Sequence, residues 1–374
     1  MRVGVIGAGP AAGAAARELA SAGCDVTVFR PGRPGEKPCG GAFPDHLLER
    51  LHGFDASRLP AVVAPSALLE NGAGQQLTLD LRGLRIVRRA DFDPALETSA
   101  RSLGAAVVEH KAERLGWQRG RPTIEAAGRR YRFDWLIGAD GARGLSRRAL
   151  GLVGCGESVG LGASLSDVEV ERLVLAFPEL GDAYLWVFPR PGGCSVGIAY
   201  TAGTVSDGAA SACLRRFVRR QLGRPLADLP GPRYRYPIPV YGEATVEAIS
   251  AGVGHRILLV GDAAAVADPL TREGIRYAVL SGQTAARSLI DEEPESYGEQ
   301  LRGEIEADLG RALRARELFF EDPIGRWMVP VCRRHPGIRR VLSDLLACRQ
   351  PYVGLRGRLV AASLDLAGTT AAAT

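Results

Sequence analysis

The chain has 374 residues and a net charge of +5, and no uninterrupted apolar run reaches the roughly 18 residues that a membrane-spanning helix needs. The positive charge is spread along the chain and nearly all arginine, Lys37 and Lys111 being the lysines, and no basic block with interleaved aromatics argues for nucleic acid. Seven cysteines without paired C-x-x-C spacing read as reduced thiols in a cytosolic protein, and five histidines without ligand spacing give no metal site.

The first thirty residues organise the rest. Val3 to Ile6 reads as a strand that runs into Gly7-Ala8-Gly9-Pro10-Ala11-Ala12 and an alanine-rich helix, with a second strand at Asp25 to Phe29. Gly7 permits the tight turn, Gly9 lets backbone approach a pyrophosphate without a Cβ, and Ala12 stands where a small residue allows close helix-on-strand packing. The phosphates then rest on the helix N-terminus, at Pro10 and Ala11, where free N–H groups and the dipole favour anions. Arg17 and Glu18 interrupt the apolar run, which argues against a secretory leader.

At the end of the second strand, a dinucleotide fold normally places an acid that accepts from the adenosine ribose. Arg30 stands there instead, and a guanidinium has only donors. Two readings are open: backbone or another side chain holds the ribose, or Arg30 binds a cofactor phosphate, as in NADP sites. The first is favoured by the residues that follow.

Pro34-Gly35-Glu36-Lys37-Pro38-Cys39-Gly40-Gly41 is rich enough in Gly and Pro to bring backbone against a flat ligand, although an ordinary surface connection would have the same composition. The stretch resembles the Pro-Cys-Gly-Gly loop of the geranylgeranyl reductase family of flavoproteins, which have the para-hydroxybenzoate hydroxylase type of FAD fold. The resemblance implies FAD as cofactor, and it makes Cys39 a candidate at the flavin for gating or assisting proton delivery.

Residues 45–88 read as a short helix from Asp45 to Leu51, then two or three strands around Ala67–Leu69, Gln76–Leu79 and Leu84–Val87. Arg89-Ala90-Asp91-Phe92-Asp93 opens a helix, with Asp93 as its expected N-cap. This segment resembles the family's Arg-x-x-Phe-Asp signature, which implies that Arg89 reaches the FAD phosphates or ribose. A strand at Ala106–Val108 and a hairpin around Gly116–Gly120 lead to a buried strand ending in Gly138-Ala139-Asp140-Gly141. Asp140 thus occupies the strand end where open α/β sheets bind ligands, and the segment looks like the family's Asp-Gly motif.

From Gly151 to about Gly254, period-two patterning separated by Gly and Pro argues for a mainly antiparallel sheet. Alternation puts Tyr184, Trp186 and Phe188 on one face, either as a sheet core or as an apolar wall for a lipid chain. Their segment resembles the family's Tyr-x-Trp-x-Phe-Pro motif, which favours the wall.

The strand from His255 to Val260 delivers Gly261 and Asp262, the latter suited to accept from ribityl hydroxyls. A helix then starts at Gly274 and Ile275, where amide groups can polarise the flavin edge. The loop before it, Thr271-Arg272-Glu273-Gly274, departs from the family's Thr-Gly-Glu-Gly: Arg272 replaces a glycine, so it either contacts substrate and catalysis or points to solvent. Helices are expected over Glu304–Phe320 and Ile338–Leu346, a packed or membrane-surface helix over Leu355–Leu366, and disorder from Gly368 onward.

The expected architecture is α/β (α+β): a discontinuous Rossmann-like FAD-binding domain (1–66, 89–150, 251–290), an inserted mainly antiparallel substrate sheet (67–88, 151–250) and C-terminal helices (291–374). The implied activity is reduction of C=C bonds in an isoprenoid chain by hydride from reduced flavin. An FAD-dependent monooxygenase or related tailoring enzyme is the alternative, and a flavin binder without turnover the third reading. No second glycine fingerprint appears, so NAD(P)H as reductant would dock transiently, or electrons would come from a donor protein. The expected substrate is a hydrophobic small molecule or lipid, and the expected location cytoplasmic with at most peripheral membrane contact.

Overall fold

The computed structural model describes residues 1–32, 35–152, 158–321 and 324–371. The chain opens with β1 (Arg2–Ile6), α1 (Pro10–Ser21) and β2 (Asp25–Phe29). β3 (Ala42–Pro44), β4 (Ala61–Glu70), β5 (Gln76–Val87), α2 (Arg89–Ser102) and β6 (Ala106–Val108) follow. A three-stranded sheet of β7 (Arg114–Gln118), β8 (Arg121–Ala126) and β9 (Arg129–Arg132) precedes β10 (Trp135–Gly138) and α3 (Leu145–Ala149). Next come β11 (Ser158–Ser166), β12 (Leu173–Ala176), β13 (Tyr184–Arg190), β14 (Gly193–Thr201), α4 (Asp207–Leu222), β15 (Arg233–Ile238) and α5 (Glu243–Val253). β16 (Ile257–Leu259) and α6 (Ile275–Ile290) lead to α7 (Tyr297–Glu321), α8 (Ile324–Arg334), α9 (Pro336–Leu346) and α10 (Leu355–Ala371).

Five strands form a parallel sheet in the order β16-β10-β1-β2-β6. Its central strands are short apolar runs, as expected where helices cover both faces. Small residues set how closely those helices approach: a Cβ on Gly282 of α6 would lie 2.3 Å from the Ala11 carbonyl oxygen of α1. Two segments far apart in sequence are thereby clamped side by side.

The second sheet has eight strands in the order β15-β11-β14-β13-β12-β4-β5-β3, antiparallel except where β4 runs parallel to β12. Helix α4 covers its outer side through Ala210, Leu214, Phe217 and Val218, while its arginines face outward. The C-terminal helices roof the other end, where Met328, Val329 and Cys332 of α8 pack with Leu69, Leu77 and Leu79. Among the described residues no helix is long and apolar enough to cross a membrane.

Several local expectations are corrected. Asp45–Arg50 is 3-10, not α-helical, and the strands after it are two long ones starting at Ala61, ahead of the position read from sequence. Asp93 does not cap α2: the helix begins at Arg89, and Asp93 lies inside it as an ion-pair partner. Helices α5 and α8 were not anticipated; the first is mostly apolar and glycine-flanked, and Pro330 interrupts the second. Helix α10 continues to Ala371, past the expected disorder at Gly368, and residues 372–374 lie outside the described part. It packs on α9, where a Cβ on Gly337 would stand 2.9 Å from the Ala362 carbonyl oxygen.

Candidate functional site

One cavity of about 750 Å³ joins the two sheets, lined at one end by Gly7, Gly9 and Asp262 and at the other by Leu175, Phe319 and Leu346. Of the candidate residues, Gly7, Gly9, Pro10, Ala11, Cys39, Arg89, Asp140, Tyr184, Trp186, Phe188, Gly261, Asp262, Arg272, Gly274 and Ile275 all line it. Ala12 packs just behind, in the core under α1.

The polar end is built from two glycine turns. Gly7 has φ +118°, and its N–H donates to the Phe29 carbonyl at 2.8 Å; Gly261 has φ +57°, and its N–H donates to Ser281 Oγ at 2.9 Å. Both geometries favour glycine because a Cβ is strained there. Each turn feeds a helix, α1 from Gly9 and α6 from Gly274, with no acid in the first turn of either. The leading N–H groups of α1 have no side-chain cap and are left for an anion, whereas at α6 Glu273 Oε1 accepts from the Arg276 N–H at 2.7 Å.

Cations converge on the first of these termini. A Cβ placed on Gly9 would stand 3.6 Å from Arg89 Nη2 and 3.9 Å from Lys37 Nζ. The buried Asp93 carboxylate holds both, Arg89 at 2.7 Å and Lys37 at 3.1 Å. Burial opposes the Arg89 charge, but Asp93 and the Cys39 sulfur more than offset it and raise its pKa. The chemistry fits a pyrophosphate: room without a Cβ, a free helix N-terminus and net positive charge from two cations on one acid. Lys37 and Asp93 were missed as site residues; the lysine was visible in the loop, but its pairing with an acid 56 positions on depends on the fold.

Asp262 faces this arrangement from the second turn. Burial raises its carboxyl above the ordinary value, and Arg89 and Lys37 pull it back. Asp140 also lines the cavity, but its carboxylate accepts from Ser146 N at 2.9 Å and from Ser146 Oγ, so it is committed to holding the turn into α3. Arg30 goes against the reading in which it binds a cofactor phosphate, and leaves the ribose to backbone or another side chain. Its guanidinium is buried and paired with Glu97 and Glu109, each at 2.8 Å, and it does not line the cavity. Those two acids, from α2 and the end of β6, turn Arg30 away from any ribose or phosphate in the cleft.

The Cys39 loop is pinned between the halves. Glu36 accepts from the Arg89 and Ala90 N–H groups at 3.4 and 3.3 Å, capping α2, and takes Arg190 Nη1 at 2.9 Å. Ser195 Oγ donates to the Cys39 carbonyl at 3.2 Å and accepts from Trp186 Nε1 at 3.1 Å. A Cβ on Gly40 would lie 2.7 Å from the Phe188 ring, so this loop lies directly on the aromatic strand.

No family model matches the chain. It is 30% identical over 315 residues to the menaquinone reductase of Mycobacterium tuberculosis, covering 76% of this chain and 75% of that one. It is 29% identical over 308 residues to digeranylgeranylglycerophospholipid reductase 1 of Methanopyrus kandleri, covering 77% and 80%. Among solved structures, a geranylgeranyl bacteriochlorophyll reductase-like protein of Thermoplasma acidophilum superposes with a TM-score of 0.74 at 21% identity, over 96% of this chain and 98% of that one. The chain belongs to the geranylgeranyl reductase family.

As a member of the geranylgeranyl reductase family it is a flavin-dependent oxidoreductase. Its departure from the family pattern, Arg272, is not solvent-facing: φ is +56°, the side chain is fully covered, and Nη2 lies 2.8 Å from Asp182. Nε donates to Ser158 Oγ at 3.2 Å, and the guanidinium stacks 5.4 Å from the Tyr184 ring centre and 5.9 Å from that of Phe320. Most of its donors are thus spent on the cavity wall. The Tyr184, Trp186 and Phe188 rings follow one another at 6.0 and 6.4 Å along that wall, and burial pushes the Tyr184 phenol up to about 12.

Proposed function

We propose that this chain is an FAD-dependent reductase that saturates C=C bonds in a prenyl chain. The observation that carries the reading is the continuity of the cavity. Its polar end has the two glycine turns and the Arg89–Lys37 pair, and past Trp186 and Phe188 it opens into a chamber lined by Leu69, Leu175, Phe177, Phe319, Met328 and Leu346. An isolated alkene on a flexible hydrocarbon offers nothing for hydrogen bonds to hold, so shape and burial must position it. The relatives named above act, by their names, on menaquinone and on a digeranylgeranyl lipid, both prenylated.

In this reading the turn at Gly7, Gly9, Pro10, Ala11 and Ala12 seats the pyrophosphate, with Arg89 and Lys37 balancing its charge. Asp262, Gly274 and Ile275 hold the flavin end, and the Asp140 turn closes one side. The bound flavin supplies the hydride. Cys39 and the aromatic strand keep water from the face where substrate lies, and Arg272 props Tyr184 against it. The parallel sheet then serves as the cofactor half and the eight-stranded sheet as the substrate half. Electrons reach the cofactor from transiently docked NAD(P)H or from a carrier protein.

The test is anaerobic. Protein reconstituted with FAD and photoreduced is mixed with geranylgeranyl diphosphate. Flavin reoxidation with product heavier by two hydrogens per turnover supports the reading. Reoxidation that needs oxygen and adds an oxygen atom to substrate replaces it with a monooxygenase.

A further inference from the structure

Saturating an alkene takes a proton as well as a hydride, and the cavity contains few groups able to give one. Asp140 is committed to Ser146, and Asp262 faces the two cations at the pyrophosphate end. Burial pushes the Tyr184 phenol and the Cys348 thiol each up to about 12, too high for ready donation. The Cys39 thiol lines the cavity too, but its sulfur is taken up by the Gly41 N–H at 3.3 Å and by Arg89, which leaves Glu273 as the remaining acid among the described lining residues.

We infer that Glu273 is the general acid that protonates the substrate carbon next to the one receiving hydride. The inference rests on the reductase reading above. Glu273 immediately precedes Gly274, whose Cβ position lies 3.9 Å from Asp262 Oδ1, so it stands at the junction of cofactor end and chamber. Its Oε1 accepts from the Arg276 N–H at 2.7 Å, which fixes the carboxyl. Its Oε2 is buried with no hydrogen-bond partner, and Arg276 Nε is 3.7 Å away, too far for a hydrogen bond. A buried carboxyl oxygen with no hydrogen bond, and only a longer ion-pair contact to Arg276, is less well satisfied as an anion than as an acid.

The surrounding charges agree. Burial raises Glu273 to about 6, against the pull of Arg276 and with a further push from Asp268. Tyr277 and Cys348, packed on the same group, are themselves held protonated in part by its charge. A carboxyl titrating near 6 can both release and regain a proton near neutral pH. The step balances: the π bond opens, one carbon gains hydride from reduced flavin and the other gains the Glu273 proton. Flavin is left oxidised, and the carboxylate recovers its proton from solvent.

Glu273→Gln is the test, since glutamine keeps the size and the Oε1 acceptor but cannot act as an acid. Two measurements are made on flavin-loaded protein. Single-turnover reoxidation by geranylgeranyl diphosphate is followed against pH, and infrared difference spectra of the resting oxidised protein follow its carboxylic-acid band between about pH 5 and 7.5. The expected result is a wild-type rate that falls as pH rises through about 6, and a loss of about 100-fold or more with no pH break in Glu273→Gln. FAD affinity is unchanged, and the variant lacks an infrared band that titrates in the wild type. A variant that keeps the pH break, reduces within about threefold of wild type, or retains the titrating band overturns the inference while leaving the reductase reading intact. A wild-type flavin that no prenyl alkene reoxidises overturns both.

Discussion

The guanidinium of Arg272 and the ring of Tyr184 hold each other's segments in place. The stacking distance is 5.4 Å, and the Tyr184 hydroxyl returns a hydrogen bond of 2.7 Å to the Thr271 carbonyl. The loop that brings Gly274 to the cofactor end is thereby tied to the strand that walls the substrate end. Asp182 completes the tie with an ion pair of 2.8 Å to a side chain that has no exposed surface.

Asp182→Asn should therefore lower unfolding free energy by about 3 kcal/mol, because it strands a buried guanidinium. Burial raises the Asp182 carboxyl, but Arg272 and the Thr201 bonds outweigh it and keep its pKa below the ordinary carboxylate value. Its contribution is thus present above the unfolded pKa and lost as pH falls through the folded one. Denaturant melts across the acid range check both points: the variant should lose stability at neutral pH and show a shallower acid decline. A melt superimposable on wild type at neutral pH would remove the ion pair from the account.

Arg89→Met should weaken FAD binding about 10- to 100-fold, the scale of one lost charge-assisted hydrogen bond. Lys37→Met, half-exposed, should cost less. Titration of flavin fluorescence at two salt concentrations reads both effects. Unchanged affinity in Arg89→Met would place the phosphates elsewhere.

Gly40→Ala should damage turnover more than cofactor affinity. The new methyl group meets the Phe188 ring at 2.7 Å, below any normal contact, so loop or ring must shift. A drop in kcat/KM of about tenfold or more is expected, with partial rescue by adding Phe188→Leu. Absence of rescue would mean that the loop moves without involving the ring.

Leu342→Trp should shorten the chains the enzyme accepts. Leu342 stands on α9 at the chamber end, beside Leu346 and Phe319. Turnover of a four-isoprene substrate should fall about tenfold or more relative to a two-isoprene one. Equal losses on both would show that the chain does not reach α9.

Much of the site was legible because its chemistry is local. The strand, glycine turn and helix from Val3 to Ala16 need only neighbours in sequence, and so does the alternation that aligns Tyr184, Trp186 and Phe188. Arg30 shows where this stops. A guanidinium at a strand end left a phosphate contact open as one of two readings until Glu97 and Glu109, 67 and 79 positions later, were brought to it. Asp93 read as a cap for the same reason: its true partners are Lys37 and Arg89.

By itself the sequence determined the two glycine turns, the mixed architecture and the family, because backbone conformation and periodicity are set by residues a few positions apart. Only the tertiary structure decided which charged side chains face the cavity. That choice depends on which acids and arginines the packing brings within about 3 Å of one another, and a buried charge takes the partner it is given. Arg272 was thus spent largely on Asp182 and the wall, whereas Glu273, its neighbour in the chain, was left with an oxygen that accepts no hydrogen bond and has its ion-pair partner, Arg276 Nε, 3.7 Å away.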